Sequence, residues 1–162
     1  MHIILLSGGS GKRLWPLSND IRSKQFIKLF RKEDGEYESM VQRMYRQIRE
    51  VDAKARVTIA TSKTQVSSIH NQLGGEVSVC VEPCRRDTFP AIALASVYLH
   101  DVEKVPEDEP VVVCPVDPYV EDDYFRAVKR LGEIAAGKEA NLVLMGMVPT
   151  YPSEKYGYVI PL

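Results

Sequence analysis

The sequence has few cysteines and no long apolar run, and both absences narrow the class of protein. Its three cysteines, at positions 80, 84 and 114, include no C-x-x-C pair, which disfavours both a disulfide framework and a structural zinc site. We expect buried free thiols. No stretch of about 18 apolar residues occurs, and residues 1–6 are too short and lack the basic start of a secretory signal. The sequence therefore predicts a cytoplasmic protein that does not bind or cross a membrane.

The sequence also lacks the large net charge that is typical of a general nucleic-acid binder. The formal net charge of the 162 residues is -1 at pH 7, so nucleic acid is not an expected partner. The basic residues are nevertheless unevenly placed, because seven of the 21 lie before Glu33, where Asp20 is the only acidic residue. This basic stretch favours a small polyanion as ligand.

Internal repeats and low-complexity linkers are absent, and 44% apolar content suits one globular domain with a sizeable core, or most of a larger domain. Short apolar runs alternate with segments of helical period, which predicts an α/β fold with a mainly parallel sheet. The strands are expected at residues 3–6, 57–60, 77–81, 111–116 and 142–147.

Four helices are expected between these strands. Ser39 and Gln42 have the spacing of a capping box, which predicts a first helix beginning near Met40. Three further helices are expected at residues 65–73, at 90–99, and between Glu121 and Gly137. The segment PAIALASVYL, residues 90–99, is apolar on nearly all sides, which predicts that it is buried.

The sequence ends in KYGYVIPL, which is typical of the start of another strand. No terminal helix or polar tail follows it. Because domains usually end at exposed, flexible segments, we expect this chain to be a truncated piece of a longer protein.

The stretch LLSGGSGKRLWPLS, residues 5–18, combines three glycines with the adjacent cations Lys12 and Arg13. A Walker loop would need glycine at position 6 and a hydroxyl at 13, where Leu6 and Arg13 stand. A dinucleotide-binding loop would need its third glycine at position 14, where Leu14 stands. Glycine amides can still approach an anion closely, and two cations add charge. An ordinary strand-to-helix turn with solvated cations explains these residues equally well.

The longer string, in which SKQF follows at residues 23–26, resembles the signature of the sugar-nucleotide pyrophosphorylases, which join a sugar 1-phosphate to a nucleoside triphosphate. The form RLWPLS is similar to that of their mannose-1-phosphate guanylyltransferase branch. Three later blocks also resemble that branch: EPCRRDTFPAIALA at 82–95, CPVDPYV at 114–120 and MGMVPTYPSEKYGYV at 145–159.

The resemblance implies a Rossmann-like, three-layer nucleotidyltransferase fold, of which residues 1–162 would be the N-terminal, nucleotide-binding part. The implied reaction is transfer of GMP from GTP to mannose 1-phosphate, giving GDP-mannose and pyrophosphate. A sugar phosphate oxygen attacks the α-phosphorus in such a reaction, so positioning and electrostatic stabilisation would supply most of the catalysis.

The same resemblance assigns roles to individual residues. Arg13 would clamp the leaving pyrophosphate, and Lys24 would counter the charge that develops near the α-phosphate. Asp117, at the end of a predicted strand, would bind Mg²⁺ together with substrate phosphates. The sugar would be contacted by Gly157 and Tyr158. The nucleotide would be held by Gly8, Gly9, Ser10, Gly11, Lys12, Glu82, Pro83, Arg86, Asp87 and Thr88.

Two positions depart from the family pattern. Ser23 stands where this branch has proline, and the Ser-Lys-Gln form is also similar to thymidylyltransferases. Pro118 stands where a histidine usually follows the aspartate. Another sugar-1-phosphate nucleotidyltransferase and a non-catalytic nucleotide-binding fragment therefore stay open, as does a homo-oligomer. A dinucleotide-binding oxidoreductase is disfavoured, because residues 60–62 lack the acid that would close its second strand.

Overall fold

The computed structural model describes residues 1–9, 15–18, 23–155 and 157–160. Within them, four predicted strands and all four predicted helices are confirmed, with ends that differ by a few residues. The elements in chain order are β1 (His2–Leu6), β2 (Lys28–Arg31), β3 (Tyr37–Ser39), α1 (Met40–Val51), β4 (Arg56–Ser62), α2 (Val66–Leu73), β5 (Ser78–Glu82), α3 (Thr88–Asp101), β6 (Val111–Pro115) and α4 (Asp122–Ala136). Short 3-10 turns lie at Lys24–Phe26 and Lys63–Gln65.

The central sheet has the strand order β5-β4-β1-β6, and its three strand pairs are parallel. Leu5 of β1 lies opposite Ile59 of β4 and Cys114 of β6. As an inner strand, β1 buries both faces, with Ile4 and Leu5 each 0% exposed, which explains its continuous apolar run. The chain adds β4 and β5 on one side of β1 and then β6 on the other. Open α/β sheets bind ligands beside the carboxyl ends of the strands at such a reversal.

Two apolar clusters cover the faces of this sheet. On one face, Leu5 packs with Met44 of α1 and Phe125 of α4, and α2 joins the same cluster. On the other face, Ile4 packs with Leu99 of α3. The predicted three-layer α/β fold with a mainly parallel sheet is therefore confirmed.

The predicted capping box is present at the start of α1. The backbone N–H of Gln42 donates to Ser39 Oγ at 3.3 Å, and the backbone N–H of Ser39 donates to Gln42 Oε1 at 3.1 Å. Just before it, β2 and β3 form an antiparallel hairpin that the sequence analysis missed. Its turn contains Gly35 at φ 86°, a left-handed conformation that glycine adopts without strain. The Asp34-Gly35 pair was the available signal.

The prediction of a strand at residues 142–147 is wrong, because this segment contains no strand. Leu142 is 74% exposed and Met147 is 82% exposed. A strand needs a neighbouring edge in matching register, and an apolar run alone does not supply that edge. Residues 157–160, in the ending predicted to begin another strand, form no strand either.

The prediction that the helix over residues 90–99 is buried holds for one face only. Ala91, Ala95 and Leu99 are buried against the sheet, whereas Val97 is 56% exposed and Phe89, about two turns earlier, is 78% exposed. A single sheet face covers one side of a helix, so the apolar character of the other side does not bury it. Among the described residues, no helix is long and apolar enough to cross a membrane.

The three thiols are free, as predicted, but only two of them are buried. Cys84 is exposed because it lies in the loop after β5 rather than in a strand. Burial raises the pKa of the Cys114 thiol to about 11. Burial also raises the pKa of Tyr124, which hydrogen-bonds that thiol, to about 12. Cys114 is therefore a neutral core side chain at physiological pH.

Candidate nucleotide site at the strand ends

The carboxyl ends of β1, β5 and β6 lie at one edge of the sheet, because parallel strands end on the same side. The backbone hydrogen bonds between neighbouring strands continue one residue past the ends of β1 and β6. Ser7 N donates to Ala60 O at 2.8 Å, and Val116 N donates to Leu6 O at 3.1 Å. Gly8 and Asp117, which follow directly, therefore lie where the strand order reverses.

Lys24 and Asp117 are in direct contact at this edge. Lys24 Nζ donates to Asp117 Oδ2 at 2.7 Å, with side-chain exposures of 29% and 55%. The sequence analysis gave the two residues separate roles, near the α-phosphate and at the metal. The structure brings them together from turns 93 residues apart. A partly exposed ion pair adds little stability, so it places opposite charges at the strand ends rather than holding the fold together.

Gly8 and Gly9 have different surroundings. A Cβ at Gly8 would lie 2.9 Å from Glu82 Oε1, so the absence of a side chain lets this carboxylate approach the loop. Glu82 is 9% exposed at the end of β5. At Gly9, a Cβ would meet no atom of the described residues within 4 Å. Glu82 therefore covers the backbone at Gly8, whereas the backbone at Gly9 is open.

Behind this edge lies a buried network of uncharged polar side chains that the sequence analysis missed. Each member is at most 2% exposed. A signal was present, because polar residues directly follow or end the apolar runs of β1 and β4. The members are Ser7, Ser23, Gln25, Thr61 and Gln65.

The loop after β6 is held at its far end by α1. Arg43 donates to Val120 O at 3.1 Å, and its guanidinium carbon lies 4.7 Å from the centroid of the Tyr119 ring. Tyr119 stacks on Phe30 of β2 with ring centroids 5.6 Å apart. These contacts fix the loop that carries Asp117, and the sequence analysis identified none of them.

Of the predicted residues after β5, three lie in an exposed loop and Thr88 begins α3. Asp87 has a φ of 73° and is the N-cap of α3. Its Oδ1 accepts a hydrogen bond from Thr88 N at 2.9 Å. Pro83 and Arg86 are exposed. No hydrogen bond or ion pair within the described residues connects this loop to Lys24 or Asp117.

The predicted sugar-contacting residues form no hydrogen bond to Lys24 or Asp117 among the described residues. The Tyr158 hydroxyl accepts from Ser153 N at 2.6 Å and donates to Ser153 O at 3.1 Å, within its own loop. Gly157 is exposed beside it. The predictions for Ser10, Gly11, Lys12 and Arg13 lie outside the described residues.

Asp117 can supply one ligand to a hard cation. Its carboxylate is half exposed and already attracts the cationic Lys24, and carboxylate oxygen is a ligand that Mg²⁺ accepts. The described residues contain no group of three or more His, Cys, Asp or Glu side chains that could hold a metal ion. A cation at Asp117 would therefore take its other ligands from water or from the phosphates of a bound substrate.

Comparisons with known proteins identify the family of this chain. The family model described as nucleotidyl transferase matches residues 2–161. Xanthan biosynthesis protein XanB of Xanthomonas campestris pv. campestris is 36% identical over 160 residues, covering 96% of this chain and 32% of that protein. Mannose-1-phosphate guanylyltransferase of Escherichia coli strain K12 is 32% identical over 164 residues, covering 98% of this chain and 33% of that protein.

A solved structure shares the fold. The crystal structure of mannose-6-phosphate isomerase from Helicobacter pylori superposes with a TM-score of 0.56 at 21% identity, covering 82% of this chain and 45% of that one. The chain spans about a third of the length of the curated relatives it matches. Nucleotidyltransferases of this kind generally use divalent metal ions. The match over residues 2–161 shows that this chain belongs to the nucleotidyl transferase family and is a nucleotidyltransferase domain with mannose-1-phosphate guanylyltransferase homologues.

Proposed function

We propose that this chain is the N-terminal, nucleotide-binding part of a mannose-1-phosphate guanylyltransferase. The reaction is attack of a phosphate oxygen of mannose 1-phosphate on the α-phosphorus of GTP. A new P–O bond gives GDP-mannose, and cleavage of the α–β phosphoanhydride releases pyrophosphate. The observation that carries the proposal is the 2.7 Å contact between Lys24 Nζ and Asp117 beside the open Gly9 backbone, at the sheet reversal.

Each of these groups suits one part of a nucleoside triphosphate. The amides near Gly8 and Gly9 donate to phosphate oxygens, and Lys24 offsets the charge that develops at the α-phosphate. Arg13, on the same loop, forks onto the leaving pyrophosphate. Because the Lys24 ammonium contacts Asp117, phosphate and carboxylate compete for Lys24 when the nucleotide enters.

Mg²⁺ is the proposed metal, held by Asp117 and by phosphate oxygens of the nucleotide. When bound, it neutralises phosphate charge. Asp117 would hold this metal, and the Lys24 ammonium would donate to phosphate.

Glu82 is the proposed reader of the base, with Pro83, Arg86, Asp87 and Thr88 around the ribose. A carboxylate accepts hydrogen bonds from the ring N–H and the amino group of guanine, a pair of donors that the other common bases do not present together. Because Glu82 lies against Gly8, a base bound at Glu82 and phosphates bound at the glycine loop are close enough to belong to one nucleotide. Gly157 and Tyr158 are proposed to meet the mannose.

The test is a melting-temperature series on the purified chain with GTP, ATP, UTP, CTP or dTTP, each with Mg²⁺. We expect GTP to give the largest increase. At a hundredfold excess over Kd, binding stabilises by ~2.7 kcal/mol, or roughly 5 to 10 °C for a chain of this size. A larger shift with dTTP would overturn the guanylyl assignment and favour the thymidylyl alternative.

The metal role is tested by calorimetric titration of GTP with Mg²⁺ or with chelator. Asp117→Asn should remove the enhancement that Mg²⁺ gives, whereas Arg13→Ala should weaken GTP under both conditions. Asp123→Asn is the matched control, because it removes an exposed carboxylate on α4 that pairs with Arg126. Equal Mg²⁺ dependence in wild type and Asp117→Asn would contradict the metal role.

Pyrophosphate release separates binding from catalysis. Release that depends on mannose 1-phosphate and is lost in Lys24→Ala would show that the chain itself catalyses the transfer. GTP binding without pyrophosphate release would show that the chain binds the nucleotide but does not catalyse the transfer by itself.

A further inference from the structure

Gln65 connects three separate stretches of chain at the proposed site. It lies at the end of the 3-10 turn after β4 and is 2% exposed. Its Nε2 donates to Ser23 Oγ at 2.8 Å and to Gly9 O at 3.4 Å. Its Oε1 accepts from Thr61 Oγ1 at 2.6 Å and from Gln25 Nε2 at 3.4 Å. One amide thus holds the loop after β1, the turn around Lys24 and the end of β4.

The orientation of this amide follows from its neighbours. Gln25 Nε2 faces Ser7 O at 2.9 Å, and a carbonyl oxygen can only accept, so this nitrogen is the donor. The atom of Gln65 that faces Gln25 Nε2 is therefore the acceptor Oε1. The other terminal atom, Nε2, must then donate to Gly9 O. A reversed amide would place two donors against each other at Gln25 and two acceptors at Gly9.

Lys24 is clamped on both sides by this network. Ser23 accepts from Gln65 Nε2, and Gln25 donates both to Gln65 Oε1 and to Ser7 O. The backbone of Lys24 lies between these two anchored neighbours, and its Nζ reaches Asp117. The same Nε2 that holds Ser23 also holds Gly9, the last described residue before the basic part of the loop.

We infer that Gln65 is a positioning residue that sets the distance between the glycine loop and Lys24. The inference rests on the proposed function, in which these two elements bind the phosphates of one nucleoside triphosphate. Gln65 need not touch the nucleotide. Phosphate-binding groups act together only when they are held in a fixed relation, and a displacement of about 1 Å can lower a rate about 100-fold.

The chain offers a matched control in Gln72, near the end of α2. Gln72 Nε2 donates to Phe26 O at 2.9 Å, and its Oε1 accepts from Ser39 Oγ at 2.6 Å. It therefore makes comparable hydrogen bonds but holds neither Gly9 nor Ser23. Loss of either glutamine should lower the melting temperature, so stability alone does not distinguish a positioning role from a structural one.

The experiment compares Gln65→Leu and Gln72→Leu in calorimetric titration with GTP and Mg²⁺. We expect Gln65→Leu to raise the dissociation constant about 10- to 100-fold, since both phosphate-binding elements lose their shared anchor. Gln72→Leu should stay within about twofold of wild type, because Gln72 bonds Phe26 O and Ser39 and not Gly9 or Ser23. Equal dissociation constants in the two variants would overturn the inference while leaving GTP binding by the wild type intact.

A ligand-independent signal checks the same inference. Trp15 is the single tryptophan of the sequence, follows the glycine loop and is 79% exposed. Its fluorescence anisotropy should fall in Gln65→Leu and stay at the wild-type value in Gln72→Leu. Unchanged anisotropy in both variants would contradict a tether between Gln65 and the loop. If the wild type binds none of the nucleotides, the proposed function fails, and the positioning role falls with it whatever the anisotropy shows.

A conservative variant covers the case in which Gln65→Leu does not fold. Gln65→Glu keeps an acceptor for Thr61 and Gln25 but, when ionised, cannot donate to Ser23 or Gly9. Burial raises the pKa of a carboxyl group, and the protonated acid can donate again. GTP affinity relative to wild type should therefore recover as the pH falls from about 8 to about 6. A constant ratio across this range would count against the inference.

Discussion

The strand ends and the segment after α4 are both rich in loops, yet they differ in how their side chains are paired. At the strand ends, Gln25 and Gln65 are each 2% exposed, and their amides hydrogen-bond neighbouring turns. After α4, Leu144 is 68% exposed and Val148 is 89% exposed, in a stretch without helix or strand. Contacts within this chain therefore determine the geometry of the first region and constrain the second much less. Substitutions should have their large effects in the first region.

The largest difference is expected between two leucines. Leu5, 0% exposed in β1, lies in the core beneath the site, so Leu5→Ala should lower the free energy of unfolding by about 2–5 kcal/mol. Leu142, 74% exposed, is the matched control, and Leu142→Ala should stay within about 0.5 kcal/mol of wild type. Urea unfolding measures both. Equal losses would show that the segment after α4 is packed as tightly as the sheet.

The next effect concerns β6, which borders both regions. Because folding raises the Cys114 pKa from 9.0 to about 11, it favours the neutral thiol. The stability this gives is complete below about pH 9 and is lost as the pH rises towards 11. Between pH 8 and 10.5, wild type should lose roughly 2 kcal/mol more than Cys114→Ala in urea unfolding. Cys84→Ala, at an exposed thiol, should follow wild type, and an equal alkaline loss in all three proteins would rule out a buried Cys114.

A smaller effect is expected at two glycines. Gly8→Ala would place a Cβ 2.9 Å from Glu82 Oε1, so the carboxylate must move, at a loss of about 1 kcal/mol. Gly146→Ala meets no described atom within 4 Å and should be neutral or slightly stabilising, because alanine restricts the unfolded chain. Thermal unfolding compares the two variants. If Gly146→Ala lowered the stability and Gly8→Ala did not, the segment after α4 would be the more tightly packed of the two regions.

The sequence predicted the first region better in its elements than in its contacts. Apolar runs predict β1, β4, β5 and β6 because strands buried on both faces need such runs, and Ser39 with Gln42 predicts where α1 begins. The contact between Lys24 and Asp117 joins residues 93 positions apart, so no local pattern carries it. The family resemblance named both residues, but their distance depends on the fold.

The errors have physical causes that differ between the regions. The apolar run at residues 142–147 lacks a strand because periodicity reports the character of a segment and not the presence of a neighbouring edge. Gln65 was overlooked because an uncharged amide has no charge or spacing signature, and three of its four hydrogen bonds join residues at least 40 positions away. Positioning side chains of this kind are found by their partners, which only the folded chain reveals.

The smallest effect is expected for the ion pair itself, where stability and proposed function should separate. Lys24→Met, Asp117→Asn and the double variant form a thermodynamic cycle, and urea unfolding should give a coupling of about 0.2–1 kcal/mol because both side chains are partly exposed. The coupling should fall further in about 1 M salt, where the screening length is about 3 Å. The buried pair Gln25→Leu and Gln65→Leu, measured in the same way, should couple more strongly and with little salt dependence, because neutral hydrogen bonds away from water are not screened. A coupling well above 1 kcal/mol for Lys24 and Asp117 would make the pair a structural clamp. In the proposed function an incoming phosphate takes the ammonium from Asp117, which requires a weak ion pair in front of a strong buried network.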